Sequence, residues 1–110
     1  MPVIGLIEVS IRLHGIHSLK GKRSIVRPIL MKLSNNFNCG AVESDMLDSH
    51  DEAVISVVSI NTSSVELTKT MEKIEDIITE NGILESQICN KEIIQRLIDL
   101  SSSQTAYLSP

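Results

Sequence analysis

The chain has no tryptophan, one phenylalanine (Phe37) and one tyrosine (Tyr107) in 110 residues. A core with so few rings has to be assembled from Ile, Val, Leu and Met. A base-stacking surface of the kind found in RNA-recognition domains lacks its aromatic platforms here. Cysteine is equally sparse. Cys39 and Cys89 make neither a secreted disulfide framework nor a Cys-x-x-Cys metal pair, and read as reduced, small apolar side chains in strands. No apolar stretch approaches the roughly 20 residues needed to cross a bilayer. The opening Met1-Pro2-Val3-Ile4-Gly5-Leu6-Ile7-Glu8 has no basic leader and meets a carboxylate at position 8, which makes it a poor signal peptide. A cytoplasmic protein without membrane contact is expected. A phosphate-binding glycine loop and a nucleophile elbow are also missing, which weighs against an enzyme and gives no reason to expect a cofactor.

One further scarcity is local. Between Glu8 and Glu43 there is no acidic residue. Residues 1–42 carry six basic side chains and one acid, whereas residues 43–110 carry four basic and thirteen acidic ones. The net charge of −4 therefore hides a basic first part and an acidic remainder. Such separation can orient a protein against a charged partner even when total charge is unfavourable. It also serves to neutralise one segment against the other across a fold.

What is present is periodic. Val3, Gly5, Ile7, Val9, Ile11 and Leu13 alternate with Glu8, Ser10, Arg12 and His14, the period of a long strand with one face on a core. Gly15 breaks it, and Ser18 offers an N-cap to a helix over about Leu19 to Asn36. Its apolar positions are Leu19, Ile25 or Val26, Ile29, Leu30 and Leu33. Pro28 inside that span predicts a kink or a late helix start. Cys39 to Met46 and Ala53 to Ile60 read as a β-hairpin, because the polar link between them is too short for a helical crossover. Ser63 and Glu66 have capping-box spacing, and Leu67, Met71, Ile74 and Ile78 then form one stripe of a second helix. Asn81-Gly82 closes it, and Ile83 to about Cys89 supplies a fourth strand. Residues 91–100 extend that strand or form a short helix, and 101–110 are expected to be disordered.

The order β-α-β-β-α-β defines an α+β fold of ferredoxin-like type, with a four-stranded antiparallel sheet and two helices on one face. We place the domain at residues 1–90 and a C-terminal extension at 91–110. Several segments, in their order and spacing, resemble the bacterial YlxP-like family: Ile4-Gly5-Leu6-Ile7-Glu8, Ser18-Leu19-Lys20-Gly21-Lys22-Arg23, Asn36-Phe37-Asn38, Ala41-Val42-Glu43-Ser44-Asp45, then Asp48 and Ala53. The likeness spans roughly residues 1–90 and implies a compact ferredoxin-like domain of unknown function. Genes of that family often lie near those for translation initiation and ribosome maturation, which implies an RNA-related role. The chain departs from the pattern at Gly21, which stands where an acid is common, at Met46 and His50, where a histidine and a tryptophan are expected, and at Pro28.

The sharpest candidate site is the start of the first helix. A helix N-terminus favours anions, and Lys20, Lys22 and Arg23 add cations to it, with Arg12 and Arg27 expected nearby and Ser18 aiming the amides. RNA phosphates are the natural partner; the bland alternative is a solvated basic face whose stems cover the core edge. The resemblance draws attention to Glu43 and Asp45, and a polar bridge from them to the lysines of that helix explains them equally well. The hairpin acids Glu43, Asp45, Asp48, Asp51 and Glu52 with His50 could hold a divalent metal or supply an acid and a base. A solvated turn is the simpler reading. His14 and His17 read as loop histidines, and no metal site is expected. The expectation is an accessory binding protein for RNA or a ribosomal subunit. The alternative is a homodimer, joined through the open sheet face, with a regulatory or structural role.

Overall fold

The computed structural model describes residues 2–80 and 84–94. Strand β1 (Val3–Leu13) leads into helix α1 (Leu19–Asn36), followed by β2 (Cys39–Asp45), β3 (Glu52–Asn61), helix α2 (Ser64–Thr79) and β4 (Leu84–Ile94). Together they make an α+β architecture of two helices on an antiparallel sheet. β1 pairs with β3 from Val3↔Asn61 to Arg12↔Glu52, and β3 pairs in turn with β2. The backbone of β4 runs antiparallel along the other side of β1, so the sheet order is β2-β3-β1-β4. The last strand, expected to end near Cys89, continues to Ile94. The expectations for Asn81-Gly82 and for residues 95–110 lie outside the described residues.

The period of two in β1 is obeyed along its length: Val3, Gly5, Ile7, Val9, Ile11 and Leu13 are buried and their neighbours are not. They meet Ala53, Ile55 and Val57 of β3, then Val26, Ile29 and Leu33 of α1, and Leu67, Met71, Ile74 and Ile78 of α2 in a single core. Both helices therefore pack on one sheet face. Gly5 is what lets α2 settle. A Cβ there would stand 2.9 Å from Met71 Sδ, and Met71 is fully buried.

Capping chemistry fixes both helix starts. Ser18 Oγ accepts from Gly21 N at 3.0 Å, and Ser63 Oγ accepts from Glu66 N at 3.3 Å. The second half of the expected capping box is taken by another residue, since Ser63 N donates to Asn61 Oδ1 at 3.0 Å. The carboxylate of Glu66 instead stands 3.7 Å from Lys69 Nζ. Pro28 does not delay α1, which starts at Leu19 and runs on through it. Proline removes the amide that the Ser24 carbonyl would otherwise accept, and both residues are exposed, so solvent can serve that carbonyl.

Candidate anion-binding helix face

The phase of α1 sorts its cations. Lys22, Val26, Ile29 and Leu33 recur at helical spacing and form its buried side. At 100° per residue, Lys20, Arg23 and Arg27 fall within about 60° of one another on the far side. All three are exposed, and none takes part in an ion pair among the described residues. Together with Ser24 and Pro28 they line a shallow hollow of about 400 Å³.

Lys22 does not belong to that face. Sequence reading counts it among the mobile cations at the helix start, yet its side chain is 2% exposed. Its Nζ donates to Met46 O at 2.9 Å and to Glu52 O at 3.1 Å, and Glu43 Oε2 lies 2.6 Å away. Two of the three ammonium donors go to backbone carbonyls, and the Glu43 carboxylate stands beside the charge as its ion-pair partner. Each partner belongs to the β2–β3 hairpin, so Lys22 ties the first turn of α1 to that turn. Met46 adopts φ 60°, a left-handed conformation that L-residues rarely hold. Its carbonyl also accepts from Ser49 N at 3.0 Å, and its amide donates to Asp45 Oδ1 at 2.7 Å. These bonds hold the strained residue in place.

The other named residues separate. Glu43 pairs with Lys22 of α1. Asp45 is exposed and engaged with the Met46 amide. Arg12, an even-numbered residue of β1, stands on the sheet face away from the helices, where its Nη2 meets Glu52 Oε1 at 3.0 Å. It is therefore not grouped with Lys20, Arg23 and Arg27. Ser18 caps α1 at the same end as Lys20.

The hairpin acids are occupied with local turn bonds. Ser49 Oγ donates to Asp51 Oδ1 at 2.9 Å, and Glu52 N donates to Ser49 Oγ at 3.2 Å. The Ser49 hydroxyl is the main reason the Asp51 carboxyl sits below its ordinary pKa, with its own backbone amide and then the nearby His50 and Arg12 acting in the same direction against partial desolvation. His50 Nδ1 is 2.9 Å from Ile16 O. A carbonyl only accepts, so that nitrogen carries the proton, and the ring links the hairpin turn to the connection before α1. Among the described residues no three His, Cys, Asp or Glu side chains are grouped as metal ligands. His14 and His17 are exposed. Cys39 is a half-buried free thiol donating to Leu33 O at 3.4 Å, and burial raises its pKa. The side chain of Cys89 lies outside the described residues. No helix is long and apolar enough to cross a membrane, among the described residues.

The molecule is thus an α+β domain with a caged lysine and a basic helix face. The family model for a protein of unknown function (DUF503) matches residues 4–93, and the chain belongs to that family. No curated protein matches it.

Proposed function

We propose that the chain is a non-enzymatic accessory protein of the cytoplasm that holds RNA, free or in a ribosomal particle, through Lys20, Arg23 and Arg27. One observation carries this reading: three cations share one exposed helix face, and no carboxylate among the described residues pairs with any of them. Uncompensated cations near a helix N-terminus oppose the helix dipole, and an incoming phosphate relieves that opposition. Ser18 fixes where the helix starts and hence the direction in which the three side chains leave it. The likeness to YlxP-like proteins supports the choice of RNA over other polyanions. The sheet order, with β4 beside β1, supports the ferredoxin-like form of the fold. No ring side chain stands among the described strands, so contact runs through phosphates and shape.

The test is binding to ribosomal subunits and to total RNA across a salt series. Three phosphate contacts give a slope of log affinity against log salt of about −2 to −3. The variant Lys20→Glu/Arg23→Glu/Arg27→Glu is expected to remain folded, since all three side chains are exposed, and to lose the salt-sensitive binding. Wild-type protein that binds neither target at low salt overturns the reading.

A further inference from the structure

The sheet face turned away from the helices carries a pattern that anion binding does not use. Side chains alternate along a strand, so the even-numbered residues of β1 and β3 share this face. The register sets Ile4 beside Ile60, Leu6 beside Val58, Glu8 beside Ser56, Ser10 beside Val54 and Arg12 beside Glu52. From one end to the other, the rows pass from apolar, through hydroxyl and carboxylate, to an ion pair. Val58 and Ile60 are 45% and 48% exposed, and Val42 on the adjoining β2 is 57% exposed. Contiguous apolar surface of this kind marks an interaction site.

We propose that a second copy of this chain covers the face, sheet against sheet, about a two-fold axis parallel to the strands and between β1 and β3. Such an axis lays β1 of one protomer over β3 of its partner at the same height along the strands. Ile4 then opposes the partner's Ile60, Leu6 the partner's Val58, and Arg12 the partner's Glu52. Every row meets its own complement, which is the self-matching that an isologous interface requires. An axis across the strands instead brings the Arg12–Glu52 row over the Ile4–Ile60 row and buries charge against hydrocarbon, a costly arrangement. Near the axis, aligned sheets that cross at about 30° keep these rows opposed.

Size and polarity agree with this occupant. At about 3.3 Å per residue and 4.8 Å between strands, the four strands offer on the order of 600 Å² of projected surface. That projection is about three-quarters of the ~800 Å² that each partner gives to a stable interface of standard size. The polar middle arrives already bonded within each protomer: Ser44 and Ser56 hydroxyls are 2.6 Å apart, and Ser56 Oγ donates to Glu8 Oε2 at 3.5 Å. Those bonds offset part of the desolvation cost that the Glu8 carboxylate carries into the seam.

Sedimentation equilibrium of the full chain, treated with nuclease and held in high salt so that polyanions contribute nothing, tests the proposal. A concentration-dependent dimer is expected. Val58→Arg and Ile60→Arg should each weaken it roughly a hundredfold, the size of a central hot spot. Circular dichroism and the melting of dilute protein should hardly change, because both side chains are exposed on the single chain. Arg12→Glu should weaken the dimer severalfold, and Glu52→Arg added to it should restore association. A chain that stays monomeric at every concentration overturns the proposal, as does a dimer that Val58→Arg leaves intact. A monomer that binds a different protein through these residues removes the second copy as occupant. A dimer that responds to Val58→Arg but not to Arg12→Glu overturns the axis along the strands.

Discussion

Lys22 shows how far a single residue can stand from its usual role. Lysine is among the residues least often fully buried, and here it is enclosed by one carboxylate and two carbonyls. Breaking such a pair from one side leaves the other charge unpaired in a dry site, at about 3–5 kcal/mol. Lys22→Met is therefore expected to lose stability of that order in urea denaturation. Lys22→Met/Glu43→Leu should recover a large part of it, because it removes both charges together. The proposed salt-sensitive anion binding is expected to persist in the folded fraction of either variant, since Lys22 does not reach the outer helix face. Asp51 gives a pH effect of defined sign. Its folded pKa lies below the ordinary 3.8, so the unfolded chain binds the proton more readily. Its contribution to stability is complete above that ordinary value and disappears as pH falls through the lowered folded value. Ser49→Ala removes the main cause, and an NMR titration should then show the Asp51 carboxyl moving back up.

Elements were more legible than sites. Alternation in β1, the Ser18 and Ser63 caps and the α2 stripe depend on near neighbours, and each is realised at the residues that signal it. Pro28 was harder to weigh, because its cost depends on whether solvent reaches the Ser24 carbonyl, which only the packed structure decides. The caged lysine has a partial sequence signal. Lys22 precedes Val26 by one turn on the buried stripe, and Glu43 shares the inward parity of Cys39 and Ala41 in β2. Residue type argued the opposite, and the meeting of positions 22 and 43 needs the tertiary fold. The separation of Arg12 from the helix cations likewise follows from which sheet face the helices cover. Gly5 tests the packing of one element on another. Gly5→Ala puts a methyl group against fully buried Met71, and overpacking of this kind costs about 1–3 kcal/mol. Its measure is a lower denaturation midpoint with the slope unchanged.

For the whole molecule, the two proposed surfaces lie on opposite sides of the sheet. A sheet-to-sheet pair turns both copies of Lys20, Arg23 and Arg27 outward, away from one another. Such a pair links two anionic bodies more readily than it doubles its grip on one, since a single short ligand cannot reach both faces. The salt series and the sedimentation experiment address separate residues, so either result stands without the other.

The placement of β1 has a consequence in time. The first strand of this domain occupies the interior of the sheet, and both of its neighbours come later in the chain: Val3 waits for Asn61 and Ile4 for Ile94. At about 5–20 residues per second, translation reaches Asn61 roughly 3–12 s after Val3. Until β3 is made, Ile7, Val9 and Ile11 have no strand to pair with, while α1 is able to form from local contacts alone. The nascent chain thus carries β1 unpaired for longer than any other strand of the domain.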